Sequence, residues 1–484
     1  MMRRLAAFVV VCGAALAQDQ GDIDTQLKRF VDAFAQVEAN AADRPGSEQA
    51  IYGGAILGML RGLDPHSTFL DPQQFEQLKQ MERSEQKGFG SVVSVLPGRV
   101  IVLQTLPGTP SAKSGLSPGD EILGINNIPL ARLEFEQLVQ LLTEARQRQV
   151  RLDVRRPGNA RLLQFVLTPE FMEAPSVDRA FLLDDNVGYV RVANFDPQTG
   201  KLLKEAIEKL GGSKLSGLVL DLRNNPGGVV GAALESASLF LKPGQKILSV
   251  RGRSVKGEDA DVPKTAEPYT FPLAVLVNGK TASAAEIVTG ALQDHDRATV
   301  VGEPSYGKGL VQSVFNLSGS TALALTTAFY YTPSGRSIQR PLRNVLLSET
   351  NGSDEAKVFR TDSGRKVTGG GGIQPDAVVG PDAVTRLRAV LDASGSFTSF
   401  ATEYTQNHKV DASFRPTPDL LDDFKVYLAE RQIQPSISDW LGDRAWIESR
   451  LFQEILTLAL GVEKGDEIEM RRDPVVQRAV ASLR

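Results

Sequence analysis

Residues 271–286 read Phe271-Pro272-Leu273-Ala274-Val275-Leu276-Val277-Asn278-Gly279-Lys280-Thr281-Ala282-Ser283-Ala284-Ala285-Glu286, and residues 301–312 read Val301-Gly302-Glu303-Pro304-Ser305-Tyr306-Gly307-Lys308-Gly309-Leu310-Val311-Gln312. The unbroken apolar run Leu273–Val277 has the length of a fully buried strand, and the small residues from Ser283 onward predict a helix over Ser283–Asp294. A second strand, Thr299–Gly302, follows. Working outward, strands are predicted at Gly188–Val192, Gly217–Leu222, Val311–Leu317 and Ala322–Tyr331. Helices fit Lys201–Leu210 and Val230–Leu241. The first carries Leu202, Leu203, Ala206, Ile207 and Leu210 on one face and stops at Gly211-Gly212. Strands alternating with helices argue for a layered α/β core.

That core occupies residues 169–391, with 341–372 as a polar, glycine-ended excursion. Over residues 84–168 the texture changes to short strands with glycine turns: Ser91–Leu96 and Val100–Thr105 around Pro97-Gly98, then Val150–Val154 and Leu162–Leu167. A short helix stopped by Gly115, a tight turn and a strand fit Ser111–Asn126, and a longer helix fits Glu134–Arg146. This order resembles a PDZ domain, most specifically in Gly115-Leu116-Ser117-Pro118-Gly119-Asp120-Glu121-Ile122. Gly88-Phe89-Gly90, ahead of a strand, could turn several N–H groups toward one point. Such a nest binds a carboxylate while the strand edge pairs with an extended peptide; a plain turn is the alternative. On the longer helix, Leu138 and Leu142 are the candidates for facing that peptide.

Residues 22–83 carry helical periodicity in Leu27, Phe30, Val31, Phe34 and Val37, then a second helix from about Glu48 to Leu63. The connector Leu63-Asp64-Pro65-His66-Ser67-Thr68-Phe69-Leu70-Asp71-Pro72 reads as helix-to-helix punctuation. Residues 392–484 are helical again, with stripes Leu420, Leu421, Phe424, Tyr427, Leu428 and Ile447, Leu451, Ile455, Leu458. Such stripes are core packing and carry no chemistry.

A chain of 484 residues is too long for one core, and its net charge of −4 leaves no basic footprint for nucleic acid. Arg3 and Arg4 precede an apolar run that ends Ala15-Leu16-Ala17, so residues 1–17 read as a secretory signal peptide. The run is shorter than the roughly 20 apolar residues needed to span a bilayer. The single cysteine, Cys12, lies inside this segment, which leaves the mature chain without disulfide or thiol chemistry. Export without disulfides fits a bacterial periplasm or cell envelope.

Several chemistries can be weighed against the residues present. A Ser-His-Asp triad would need His66, His295 or His408, and none has an obvious partner pattern; each reads as a surface or capping residue. No His/Cys/Asp/Glu cluster has zinc-like spacing, so neither metal nor cofactor is expected. Gly302 to Lys308 matches a phosphate-loop pattern, but Gly309 stands where Ser or Thr should hold magnesium, and strands follow in place of a helix. A lysine base remains. Burial among glycines can lower an amine's pKa by several units, and Gln312 could orient the Lys308 amine. Ser283, at a helix start with nearby N–H groups, is the candidate nucleophile. Ser283-Ala284-Ala285-Glu286 is equally a capping box, in which the serine merely caps the helix. A third glycine-rich stretch, Asp221-Leu222-Arg223-Asn224-Asn225-Pro226-Gly227-Gly228, lies at a strand end. It would expose N–H groups in the style of an oxyanion hole and tips the balance toward catalysis.

Together these residues resemble the carboxy-terminal processing peptidases, or tail-specific proteases, a serine/lysine family. The resemblance runs from the Leu63–Leu70 connector through the PDZ-like segment to Gln374-Pro375-Asp376, and includes Gly335-Arg336-Ser337-Ile338-Gln339 and Gly372-Ile373-Gln374-Pro375-Asp376. It implies a multidomain α/β and α+β protein: a helical N-terminal region, a PDZ-like domain, a crotonase-like (ClpP-like) protease core and a helical C-terminal region. It implies Ser283 as nucleophile, Lys308 as general base, Gln312 as the residue orienting the lysine, and an oxyanion hole at Gly227, Gly228 and Ala284. Arg156, at the end of a PDZ strand, is a weak candidate for coupling the PDZ module to the site. Ser305-Tyr306 departs from the more usual Thr-Phe, and residues 340–371 lengthen a link that is often shorter. The implied activity is an exported serine endopeptidase cutting protein substrates with free, apolar C-termini through an acyl-enzyme. The helical ends are candidate surfaces for an adaptor protein or for homo-oligomerisation. A non-catalytic binding protein on the same scaffold is the competing reading, and the joint presence of Ser283, Lys308 and Gln312 favours the enzyme.

Overall fold

The structure is a computed structural model that describes residues 6–43, 46–82, 85–183, 186–253, 257–342, 357–380 and 383–484. Its centre is a sheet in the order Val177–Leu182, Val187–Val192, Gly217–Asp221, Leu273–Val277, Thr299–Gly302, Ala377–Val378. The first pair is antiparallel and the others are parallel. Period-two alternation sends Val190, Leu218, Leu220 and Val275 to one face. There they meet the helices Thr199–Leu210, Val230–Ser238 and Ala284–Asp294 through Leu203, Ile207, Ala233 and Val288. Tyr189, Val219, Ala274, Leu276 and Val301 point to the other face and meet Val476 and Ala479 of the helix Pro474–Ser482. The last helical stretch is therefore a layer of the α/β core and not an appendage.

A second sheet leans on this core. In it Ala322–Tyr331 pairs with Thr68–Leu70, Lys246–Arg251 and Leu310–Asn316, and Lys246–Arg251 pairs with Glu258–Asp261. The connector at residues 63–72 thus contains a strand, where sequence alone suggests only a turn. The strands Val177–Leu182, Lys246–Arg251 and Glu258–Asp261 are additions to the predicted set. Each carries charged residues that break the apolar pattern.

The PDZ-like domain is an antiparallel sheet in the order Ser91–Leu96, Arg99–Thr105, Glu121–Ile125, Val150–Arg155, Leu163–Leu167, with helices Pro110–Ser114 and Phe135–Ala145. Glu85–Gly88 pairs with Glu170–Glu173, so the chain enters and leaves the domain through one two-stranded tie. The C-terminal helices Arg386–Ser394, Ser396–Asn407, Pro418–Glu430 and Ile437–Leu460 close around Phe397, Phe400, Phe424 and Tyr427, and both expected stripes are buried there. The bundle touches the PDZ-like domain through Arg99 Nη2–Ser399 Oγ (2.6 Å), and the following helix Val462–Arg472 does so through Val462 N–H to Gln104 Oε1 (2.9 Å).

Of the excursion, residues 343–356 lie outside the described set. Its hairpin Val358–Arg360/Lys366–Thr368 is pinned beside the end of the Ala284–Asp294 helix, where Arg365 Nε meets Asp296 Oδ1 at 2.6 Å. Backbone of Ala6–Asn40 forms one helix through the expected cleavage position at Ala17; Arg3 and Arg4 lie outside the described residues. Among the described residues, no helix is long and apolar enough to cross a membrane.

Candidate active site

The three glycine-rich stretches converge at the carboxyl ends of the parallel strands. Ala282 N–H donates to Asn225 O (2.9 Å), Tyr306 N–H to Thr281 O (2.9 Å), and Asn224 N–H to Asn278 Oδ1 (3.0 Å). Gly227 lies so close to the Ser283 turn that a Cβ there would fall 2.7 Å from Ser283 Cβ. At Gly228 a Cβ would fall 2.0 Å from Phe195 O, and its φ of 141° is open only to glycine.

Ser283 itself has φ 56° and ψ −117°, a strained corner between strand and helix. Such a conformation costs on the order of 1–3 kcal/mol and persists only when its surroundings fix it. Ser283 N–H donates to Glu286 Oε2 (2.9 Å), and Tyr330 Oη–H reaches Ser283 O (3.0 Å). Both readings of the S-x-x-E motif meet here. Glu286 closes its half of a capping box by accepting Ser283 N–H, and the Glu286 N–H goes to the Ser283 carbonyl (2.8 Å).

Glu286 does more than cap. Fully buried, its carboxylate also accepts from Ser305 Oγ (2.5 Å), Gly307 N–H (2.8 Å) and Lys308 N–H (2.9 Å). One carboxylate therefore holds the backbone of both the candidate nucleophile and the candidate base. Burial pushes the Glu286 carboxyl up, against four donors that pull it down. Tyr330, buried and kept protonated by desolvation and the nearby Glu286 charge, also donates to the Lys308 carbonyl. The downstream signature completes the frame: Gly309 N–H donates to Gln339 Oε1 (2.9 Å), Arg340 N–H to Gly307 O (3.0 Å) and Ile373 N–H to Ser305 Oγ (2.7 Å). A Cβ at Gly309 would sit 3.0 Å from Gln339 N, which is the close approach expected of these glycines. The chain after Lys308 continues as the strand Leu310–Asn316, so the phosphate-loop reading fails.

Lys308 is largely withdrawn from water. Burial holds its amine below the usual lysine value, while Asp64 and Glu286 pull the other way. Its Nζ donates to Gln312 Oε1 (2.8 Å), and Gln312 Nε2 donates to the His66 carbonyl (2.8 Å). No hydrogen bond joins Nζ to Ser283 Oγ in this arrangement. His66 is thus no remote surface residue: burial and the Lys308 charge lower its imidazole pKa.

The oxyanion candidates divide. Gly227 N–H is taken by Asn225 Oδ1 (2.8 Å). Gly228 bridges Phe195 through its neighbours, Phe195 N–H to Gly227 O and Val229 N–H to Phe195 O. That pattern leaves the Gly228 amide on the opposite edge. The Ala284 amide lies at the first helical position, where no intrahelical acceptor exists. The loop is braced from behind: Arg223 pairs with Asp221 and Asp473 (2.6 Å each), and Asp473 caps the helix Pro474–Ser482.

One PDZ assignment needs correction. Leu138 is fully buried in the domain core, so it cannot face a peptide. The exposed stripe of that helix is one position over: Phe135 (53% exposed), Val139 (43%) and the half-buried Leu142. Arg156 also has inward partners, a bidentate pair with the buried Asp120 (2.7 Å each) and Gly115 O (2.8 Å). It braces the PDZ-like domain internally. Gly88-Phe89-Gly90 does form a loop, with Phe89 O and Gly90 O accepting from Ser111 N–H (2.9 Å) and Leu106 N–H (2.8 Å). Those carbonyls are committed inward.

A family model for peptidase family S41 matches residues 186–343, and one for the PDZ domain matches residues 78–155. A carboxy-terminal-processing protease of Bartonella bacilliformis is 35% identical over 341 residues, covering 69% of this chain and 77% of the relative. The chain belongs to peptidase family S41. A carboxyl-terminal-processing protease of Synechocystis sp. is 32% identical over 362 residues, 73% of this chain and 81% of its own length. A solved photosystem II D1 C-terminal processing protease aligns with 76% of this chain and 96% of that one, at 25% identity and a TM-score of 0.39. The protein is accordingly a serine-type endopeptidase of the carboxy-terminal processing group, with a PDZ domain beside its S41 core.

Proposed function

We propose that Ser283 and Lys308 form the catalytic dyad and that Gln312 orients the lysine. The observation that carries this reading is the single Glu286 carboxylate, which holds Ser283 N–H and Lys308 N–H on one oxygen. Neutral Lys308 takes the Ser283 hydroxyl proton as Oγ attacks the scissile carbonyl. The amides of Gly228 and Ala284 stabilise the oxyanion. Lys308 returns the proton to the departing amine, leaving an acyl-enzyme. Water then gives a proton to Lys308 and attacks the ester, and Lys308 passes that proton to the departing Ser283 Oγ, which restores the hydroxyl and the neutral amine. Because the Gln312 amide binds Nζ through a hydrogen, the amine lone pair stays available to the serine.

The substrate in this reading is a protein with a free, apolar C-terminus. Its carboxylate is held at Gly88-Phe89-Gly90, and its side chains rest on Phe135, Val139 and Leu142. The n-region, apolar run and Ala15-Leu16-Ala17 support export to a bacterial periplasm or envelope. The apolar face Ile23, Leu27, Phe30 and Val31 of the first helix, exposed along its length, supports a partner there, either a second copy or an adaptor protein.

The test is cleavage of an unfolded reporter ending in apolar residues. Turnover is lost in Ser283→Ala and in Lys308→Ala; full activity in either removes the dyad. Amidating the reporter's C-terminus raises KM, and undiminished cleavage removes the carboxylate-capture role.

A further inference from the structure

Gln312 is itself held by a segment far away in sequence. Its Nε2 donates to the carbonyl of His66, 246 positions earlier. A carbonyl can only accept, so that contact forces Nε2 toward His66 and Oε1 toward Lys308. The amide has no freedom to flip while the His66 peptide stays where it is.

What holds the His66 peptide is Asp64, a carboxylate only 1% exposed. Its Oδ1 accepts His66 N–H (2.7 Å) and Ser67 N–H (2.9 Å), and its Oδ2 accepts the Ser67 hydroxyl (2.6 Å). This is an Asx turn with a second anchor on the side chain. Ser67 Oγ in turn accepts Thr326 N–H (3.0 Å), and Thr326 is the cross-strand partner of Gln312. Hydrogen bonds therefore run from Gln312 to His66, Asp64, Ser67 and Thr326, and the position of Thr326 opposite Gln312 in the hairpin brings the path back, with Lys308 hanging from it. The adjoining strand Thr68–Leu70 pairs with Ala322–Ala324, and the Phe69 ring stacks on Tyr52 at 4.8 Å. A continuous rigid path thus leads from the N-terminal helices to the amine.

We propose that the segment Asp64–Ser67 is a positioning element of the general base: it fixes the Gln312 amide and, through it, the Lys308 amine. The proposal rests on the Ser283/Lys308 reading above. Asp64, His66 and Ser67 touch no substrate and act through Gln312. The charged and titratable groups around Lys308 are Asp64, Glu286 and His66. Of the two carboxylates, Asp64 favours the ammonium form more strongly than Glu286 does.

The experiment uses the full chain and an unfolded reporter with an apolar C-terminus. The folded fraction of each variant is measured by gel filtration and cooperative thermal unfolding, and kcat is expressed per folded molecule. Ser67→Ala and Asp64→Ala are expected to lower kcat about tenfold or more with KM within twofold, since the base is misplaced and substrate capture is untouched. Asp64→Asn keeps an oxygen for the two N–H donors but removes the charge that favours the ammonium. Its kcat falls less, and the acid limb of its kcat/KM profile moves to lower pH. A merely structural segment would reduce the folded fraction and leave kcat per folded molecule and the acid limb in place; that result overturns the proposal. Lys308→Ala is run in parallel. If it keeps full turnover, the dyad reading falls; if it is dead while the Asp64 and Ser67 variants turn over normally per folded molecule, only the positioning role falls.

Discussion

The protease core and the PDZ-like domain hold their ligand-facing groups in opposite ways. Around Ser283 and Lys308, buried donors and acceptors fix backbone: Glu286 gathers three N–H groups, Tyr330 joins two carbonyls, and glycines admit neighbours that no side chain would. On the PDZ helix, Phe135 and Val139 stand in solvent with nothing on top, while Arg156 and Asp120 brace the domain underneath. A site made of buried polar contacts tolerates little displacement, because each unmet buried group costs about 1–3 kcal/mol. An exposed apolar stripe accepts many sequences at small cost each. The first arrangement suits a chemical step and the second suits recognition of varied tails.

Substitutions can break or sharpen that contrast. The largest effect is expected from Ser283→Ala and Lys308→Ala, a loss of kcat of about 10⁴-fold or more with reporter binding retained. Glu286→Gln comes next, since an NH₂ group must face N–H donors in a fully buried place. A fall in kcat of roughly 10²–10³-fold with little change in KM would place Glu286 as the organiser of both backbones. Tyr330→Phe loses only a shared hydroxyl, and about a tenfold fall in kcat is expected. The pH profile gives a separate check. The proposed base would work as the neutral amine, so kcat/KM is expected to rise with pH through the folded Lys308 pKa, which burial places below the usual lysine value. An acid limb at the ordinary lysine pKa would contradict the burial argument. The smallest effect is expected in the PDZ helix, where Phe135→Ser or Val139→Ser should raise KM by roughly three- to tenfold and leave kcat unchanged. Loss of kcat there would erase the division of labour.

Legibility in the sequence follows the same division. Ser283, Lys308, Gln312 and Gly228 stood out as candidates because strand ends, glycine pairs and a four-residue step are written in the residues themselves, and the structure brings their segments together. Glu286 was hidden behind its own motif, since S-x-x-E looks identical whether the glutamate caps a helix or organises a site. His66 was invisible because it contributes a carbonyl, a group every residue owns. The amide of Gly227 looked like a donor until Asn225 claimed it. On the PDZ helix, apolar residues at 135, 138, 139, 141 and 142 cover more than one face, and only packing decides that Leu138 turns inward. Tyr330 and Asp473 sit in an ordinary strand and an ordinary helix cap, and their roles exist only once distant segments meet.

The docking of Pro474–Ser482 on the central sheet has a kinetic side. Val219, Ala274, Leu276 and Val301 stay uncovered until Val476 and Ala479 arrive, although the strands that carry them come much earlier in the chain. Contacts of such long sequence separation form slowly, because the intervening chain must be ordered before they gain anything. Asp473 then locks Arg223 behind the glycine-rich turn in the same docking event. Assembly of the sheet's second face and bracing of the turn beside Ser283 are therefore coupled, so a folding intermediate that lacks this helix should also lack a finished active site.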